Sequence, residues 1–453
     1  MLRVFSDKDF NAKLKKIMFP VAFQTLMLNA VNLGDTLMLG LVNQGSIAAV
    51  SLASQVYFVM TLFIGTLTGG ATVLAAQYLG KRDFRTVESV FSLIVRYAAL
   101  VSAVFFCAGM FAPEFLMRIF TAEPELIRIG AEYLKITSIS YLFAGVSQCY
   151  LCMLKINDRA KQGSIITTSI VFLDLVLNAI FIFGLFGAPA MGAKGAALTT
   201  SISKGLEILA VLIYSGAVKN IRPRLQWIFG IKLRLEKEFW KYSYPVFLNS
   251  MAWGGGMTVY SMIIGHLGTE ATAANSIVTI VKNLIICISE GLGVASGILV
   301  GKTLGENDLA LGKAYGSRLS QLSVLCGFLS AVLVILCGPV VITLFKTDET
   351  TNMYILGMLV FCAINSIARC INETVICGLF SAGGDTKFDA QSLIVTMWGM
   401  IIPAALCAAF WWRLPVIWVY CILSMDEPIK IPWVYARYKQ YRWVTNITKE
   451  QIH

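Results

Sequence analysis

Long apolar runs separated by short polar connections recur from end to end of the chain. An α-helix needs about 20 residues to cross a ~30 Å hydrocarbon core. The pattern predicts twelve such helices, at 14–41, 46–78, 88–111, 126–154, 163–187, 192–217, 239–267, 271–302, 316–345, 351–380, 390–412 and 414–436. Several exceed the minimum length, which implies tilt or extension beyond the bilayer. Pro20, Pro245, Pro403 and the run Gly254-Gly255-Gly256 fall inside them. Pro20 is expected to bend its helix, because proline removes one backbone donor and membrane helices tolerate that where neighbours satisfy the freed carbonyl.

The pattern repeats after 225 residues. At that distance Pro20 is followed by Pro245, Gly40 by Gly265, Gly80 by Gly305 and Phe120 by Phe345. Gly80-Lys81-Arg82-Asp83 stands opposite Gly305-Glu306-Asn307-Asp308. Six spans are followed by six, and equivalent spans begin on the same side, so the repeat is parallel, with its axis along the membrane normal. The expected fold is all-α and integral to the membrane: twelve transmembrane helices in two pseudo-symmetric six-helix bundles around a central cavity. The expected divisions are an N-terminal bundle at 1–218, a linker at 219–238, a C-terminal bundle at 239–437 and a tail at 438–453.

Composition agrees. Of 453 residues 57% are hydrophobic and only 14% charged, too apolar for a soluble globule. The net charge of +11 is distributed unevenly. Basic residues gather in alternate connections: Lys81, Arg82 and Arg85; Lys155, Arg159 and Lys161; Lys219 to Lys241; Lys302, Lys313 and Arg318. By the positive-inside rule these connections, and both termini, are cytoplasmic, and the chain is expected in the plasma membrane. The basic leader Lys13, Lys15, Lys16 precedes a run too long for a signal peptide, so it reads as the start of a first span. No dense Lys/Arg tract invites nucleic acid. Eleven cysteines, all in apolar segments, argue against a disulfide framework, and two histidines argue against a His-based metal site. Gly301-Lys302-Thr303 lacks the glycine five residues before (Ser296 stands there) and the preceding strand of a phosphate loop. No cofactor is expected, and with no nucleotide-binding module any work the protein does must draw on an ion gradient.

Polar groups inside the spans carry the candidate chemistry. Asp35 lies near the far end of the first span, with Asn32 and Leu28 on its face and Asn29 beside Asn32. A carboxylate in hydrocarbon is costly, faces a cavity, and marks an ion or proton path unless it serves as an interhelical clamp. Asp174 is mid-span, one turn from Asn178, and reads as a partner of Asp35 in a proton or Na+ site, with Thr200 supplying a hydroxyl. Glu373 and Arg369 are four residues apart and can pair, structurally or as a coupling site. Glu290, between Ser289 and Gly291, is open to either reading. Lys204 and Glu207, three apart, read as a structural pair. Asn32, Gln55, Tyr57, Asn249, Trp253, Tyr260, Asn275 and Trp398 are candidates to line the cavity; aromatic faces attract organic cations by roughly 0.5–2 kcal/mol each, although each aromatic alone also suits ordinary packing.

On these residues the chain resembles the MATE (multidrug and toxic compound extrusion) family over nearly its whole length. The resemblance is carried by Pro20 fifteen residues before Asp35, Asp35-Thr36-Leu37-Met38-Leu39-Gly40, Asn178-Ala179-Ile180-Phe181-Ile182-Phe183-Gly184, Gly195-Ala196-Ala197-Leu198-Thr199-Thr200 and Ser381-Ala382-Gly383-Gly384-Asp385-Thr386. It implies a cation-coupled antiporter, H+ or Na+, that expels small organic, mostly cationic, compounds by alternating access as a monomer in the lipid bilayer. It also implies that Asp35 is the main coupling residue of the N-terminal bundle. Two departures stand out. Many relatives place the acid after the amide in the fifth span, whereas here Asp174 precedes Asn178. Many also carry an acid where Ser250 follows Asn249, which leaves Glu290 and Glu373 as the acids deep in the second half. A lipid-linked saccharide flippase of the same superfamily is the alternative transporter. An integral-membrane enzyme lacks a metal cluster or a Ser/His pairing.

Overall fold

A computed structural model describes residues 7–42, 44–217, 233–345 and 348–448. The expected linker up to 232 and the tail beyond 448 lie outside the described residues. Among the described residues every long element is a helix and there is no strand. The helices are α1 Lys8–Val42, α2 Gln44–Gly80, α3 Phe84–Phe111, the short α4 Pro113–Phe120, α5 Pro124–Ile156, α6 Ala160–Phe183 and α7 Ala193–Ala217. The second repeat holds α8 Leu233–Gly265, α9 Thr269–Ile285, α10 Cys287–Gly305 and α11 Leu309–Phe345. It continues with α12 Glu349–Asn372, which runs on in π-helical form over Glu373–Phe380, then α13 Thr386–Trp411, α14 Val416–Leu423 and α15 Asp426–Lys439.

Ten segments among the described residues are long and apolar enough to cross a membrane, counting α9 and α10 as one. Two more complete the twelve. α8 is long enough but diluted by Asn249, Ser250 and Gly254-Gly255-Gly256. The last predicted span, 414–436, is not one helix: the chain turns at Ser424 and Met425, separating α14 from α15. The break follows from Asp426 and Glu427, which occupy the first turn of α15 where the free backbone N–H groups favour negative charge. Pro20 and Pro245 both lie inside unbroken helices, where each leaves one carbonyl without its helical donor.

The helices form two compact units. One comprises Met27–Ala71 and Phe84–Trp240. Its centre is α5, packed between α3 and α7, with Tyr141, Leu151, Leu154 and Cys149 fully buried. The start of α8 belongs to this unit: Tyr97 of α3 donates a hydrogen bond to Glu236 and sets its ring edge-on to Trp240 at 5.3 Å. The other unit comprises the chain up to Leu26, Thr72–Asp83 and the chain from Lys241 onward. Here Arg318 of α11 pairs with Asp7 at 2.6 Å, and its guanidinium holds that carboxyl below the ordinary aspartate range.

The span made by α9 and α10 is the most enclosed among the described residues, with 72% of its apolar window buried. The cause is legible in the spacing of α10: Gly293, Gly297, Gly301 and Gly305 recur every fourth residue and make one face without side chains. Glu373, Gly378, Ala76 and Gln77 pack against these four positions in turn. The contact with the end of α2 is reciprocal. A Cβ on Gly80 would overlap the carbonyl of Lys302, and a Cβ on Gly305 would overlap the carbonyl of Gln77. Gln77 and Lys302 are themselves 225 residues apart, as are Gly80 and Gly305. The two ends therefore cross about the axis that relates the repeats.

The segment after α15 is built into the same unit. Trp443 is 1% exposed, stacked on Tyr438 and lodged against Gly316. Gln77, fully buried, donates to the carbonyls of Ala382 (2.6 Å) and Thr445 (3.1 Å) and accepts from the Ile447 amide (2.9 Å). This explains Ser381-Ala382-Gly383-Gly384-Asp385-Thr386. Gly383 admits the Trp443 carbonyl, Gly384 takes the left-handed backbone (φ +83°), and Asp385 holds Arg437 in a two-pronged pair at 2.8 and 3.0 Å.

Candidate functional site

Three helices of the first unit converge on Asn178. α6 carries Asp174 and Asn178 one turn apart on one face. Gly184, in left-handed conformation (φ +75°), ends α6, and Gly195 lets α7 return with its backbone against the Phe181 carbonyl. Gly34 gives α1 a close approach to Leu175. The result brings Asp35, Asp174 and Asn178 together.

Asn178 is 1% exposed. Its Nδ2 donates to Asp35 Oδ1 at 2.7 Å and to Asp174 Oδ2 at 3.3 Å, and its Oδ1 accepts a hydrogen bond from the Thr199 hydroxyl. The amide orientation follows from this network, since ionised carboxylates only accept and the hydroxyl can donate. One amide thus bridges two acids. Asp174 Oδ1 is buried beside the Ser203 hydroxyl, but the two do not meet in good hydrogen-bond geometry. Two carboxylates bridged by one neutral amide are a donor set that a proton or a monovalent cation could join. Asp35 and Asp174, with the Ser203 hydroxyl, are the oxygens available to hold such an ion.

Thr200 does not take part: its hydroxyl donates to the Ala196 carbonyl at 2.9 Å. The hydroxyl that reaches the amide belongs to Thr199, one residue earlier and about 100° around the helix. Further along α7, Lys204 pairs with Glu207 at 2.8 Å. In the same unit Tyr57 stacks on Tyr141 with ring centres 5.6 Å apart, while Asn32 and Gln55 are exposed.

In the other unit the cavity candidates gather on α8 and α13. Trp253 and Tyr260 pack against Leu393, Met397 and Ile402. Trp398 donates to the Ala252 carbonyl at 3.0 Å and lies over Gly255. Asn249 keeps a buried Oδ1 without a partner, and Asn275, half-buried, sits apart on α9.

Glu373 opens the π-helical stretch, an irregularity frequent at functional sites, with its Cγ against Gly293. Arg369, one turn before, makes no ion pair within 4 Å among the described residues. It lies within electrostatic reach of Glu373, Glu427, Glu290 and Asp426. With Lys282, Ser289, Ser330, Asn365 and Ser366 it lines a small polar pocket. The sequence reading missed the acids of α15. Asn365 donates to Asp426 at 2.8 Å, Asn372 donates to Glu427 at 2.7 Å, and Lys430 pairs with Glu427 at 3.1 Å. The signal for them was Asp426-Glu427 inside an otherwise apolar predicted span.

Comparisons with known proteins show the family and the fold. The chain is 21% identical over 441 residues to the uncharacterized transporter YisQ of Bacillus subtilis, covering 97% of this chain and 96% of that one. It is 24% identical to the probable multidrug resistance protein NorM of Thermotoga maritima, covering 92% and 90%. Its fold superimposes on the Vibrio cholerae MATE transporter VcmN in the bent form with a TM-score of 0.84, at 15% identity over 96% of this chain and 97% of that one. A MOP superfamily transporter from Pyrococcus furiosus, described as having a binding pocket of reverse polarity, gives 0.84 at 16% identity, covering 95% and 96%. The family model MatE matches twice, at residues 20–180 and 245–409, with starts separated by the repeat distance. The chain therefore belongs to the MatE family and is a membrane-embedded transporter, not an enzyme.

Proposed function

We propose that this chain is a multidrug exporter that exchanges small organic, mostly cationic, compounds for H+ or Na+ by alternating access. The observation that carries the reading is the single amide of Asn178 shared by Asp35 and Asp174. A proton or Na+ arriving from outside neutralises that pair, releases drug outward and permits the inward turn. Drug and ion then disfavour each other's binding, as reciprocal coupling requires. The multidrug resistance proteins among its relatives support the substrate class, and the aromatic group of Trp253, Tyr260 and Trp398 offers faces for flat cations. The protein works as a monomer in the plasma membrane with both termini cytoplasmic, and the coupling ion is its only inorganic requirement.

Efflux of ethidium from loaded proteoliposomes tests this, under an imposed pH gradient and then an imposed sodium gradient. Asp35→Asn is expected to abolish efflux under whichever gradient drives the unaltered protein, with its amount in the membrane unchanged. Full efflux by that variant would refute the assignment.

A further inference from the structure

The ion pair of Lys204 and Glu207 is buried in the same unit. Glu207 is fully buried, and three helices hold it: Lys204 of α7 at 2.8 Å, Ser147 of α5 at 3.2 Å and Thr167 of α6 at 3.5 Å. Asp174 is held less well, by a long bond from Asn178 at 3.3 Å and a contact with the Ser203 hydroxyl that falls outside good hydrogen-bond geometry. Ser203, the neighbour of Lys204 in sequence, brings its hydroxyl to the Asp174 carboxyl. The Lys204 ammonium acts electrostatically on Asp174 as well as on Glu207 and Tyr57. The ionisable groups gathered here are Asp35 from α1, Tyr57 from α2, Tyr133 from α5, Asp174 from α6, and Lys204 and Glu207 from α7. Two acids, Asp174 and Glu207, share one cation. Buried ion pairs seldom add stability over apolar packing, and intramembrane charges mark function.

We infer that Lys204 is a positioning residue for the coupling site: its ammonium sets how readily Asp174 takes the coupling ion, and Glu207 sets how much of that charge Asp174 feels. This rests on the coupling role proposed for Asp35 and Asp174. The arrangement is a divided cation. While Glu207 grips Lys204, Asp174 is left partly uncompensated and open to an ion from outside. Were Glu207 neutral, Lys204 would turn its full charge to Asp174 and compete with that ion.

Two single substitutions must therefore act in opposite directions. Lys204→Gln removes the competing cation and should move the pH of half-maximal ethidium efflux upward by about one unit. Glu207→Gln releases the ammonium onto Asp174 and should move it downward by a similar amount. Lys204→Arg keeps the charge and should restore the midpoint of the unaltered protein. The double variant Lys204→Gln/Glu207→Gln strands no buried charge and so should fold even where a single variant does not. Its midpoint should rise, by less than that of Lys204→Gln. The measurement is initial efflux against pH in proteoliposomes, with thermal unfolding in detergent as the check on folding. Opposite shifts of the two singles, or a raised midpoint in the double, support the inference. Shifts of the same sign, or an unmoved midpoint in a folded double variant, overturn it. Absence of efflux by the unaltered protein under either gradient would instead strike down the transport reading, and this inference with it.

Discussion

Alanine at Gly80 or Gly305 is expected to destabilise the protein strongly and equally. Each glycine faces backbone rather than a flexible side chain: the Lys302 carbonyl in one case, the Gln77 carbonyl in the other. A methyl group at either site overlaps an atom fixed by its own helix, so the two helix ends must part by about 1 Å. Overpacking that moves backbone costs roughly 1–3 kcal/mol, and the upper end applies because no rotamer can yield. Against this, alanine recovers at most the ~0.5–1 kcal/mol it gains over glycine in a helix interior, since both glycines are the last residues of their helices. The net loss is about 2 kcal/mol at each position. Gly65, on the same helix α2, has nothing within 4 Å of where a methyl group would stand, so Gly65→Ala should be neutral or stabilising. The assay is thermal unfolding of the three purified variants in one detergent. Gly80→Ala and Gly305→Ala should melt several degrees below the parent, close to each other, with Gly65→Ala at or above it. If the two repeat-related variants melt with Gly65→Ala, or if one falls and its mate does not, the reciprocal crossing is not what the glycines are for.

Three further outcomes follow from the geometry. Thr199→Val should lower ethidium efflux several-fold by removing a hydrogen bond worth about 1 kcal/mol to Asn178, while Thr200→Val should leave it within about twofold, since Thr200 bonds only its own helix. Arg437→Ala should release the segment 441–448 and expose it to limited proteolysis, because it breaks both bonds to Asp385. Asp348 caps α12 through the Thr351 hydroxyl and amide, which hold its carboxyl below the ordinary range. A carboxyl depressed in the folded state contributes stability above its unfolded pKa and loses it as pH falls through the folded value. Asp348→Ala should therefore lower the melting temperature at pH 7, and the difference from the parent should shrink toward about pH 3.

Most of this architecture could be read from apolar run lengths and the 225-residue offset, since both are properties of the chain taken a span at a time. Asp35, Asp174 and Asn178 were visible for the same reason, as polar residues where hydrocarbon is expected. What stayed hidden depends on rotation or on distant partners. Thr199 and Thr200 are adjacent and chemically alike, and only the phase of α7 decides which faces Asn178. The break between α14 and α15 is stabilised by Asn365 and Asn372, some 55 to 61 residues earlier in the chain. No local pattern announces that pairing. The glycine-rich stretch at 381–386 looked like a family mark without a task, and its task is set by Arg437 and Trp443, which nothing in its own vicinity foretells.

Gln77 carries a consequence for biogenesis. Its side chain is completely buried, yet its amide is satisfied only by residues 305 to 370 positions further on. A ribosome adding ~5–20 residues per second reaches Ile447 roughly half a minute after Gln77 has left the tunnel. Until then the C-terminal end of the second helix lacks the partners that its buried amide has in the folded protein. The first six spans can insert early, but the end of α2 cannot reach its final packing before residues 445–447 are made.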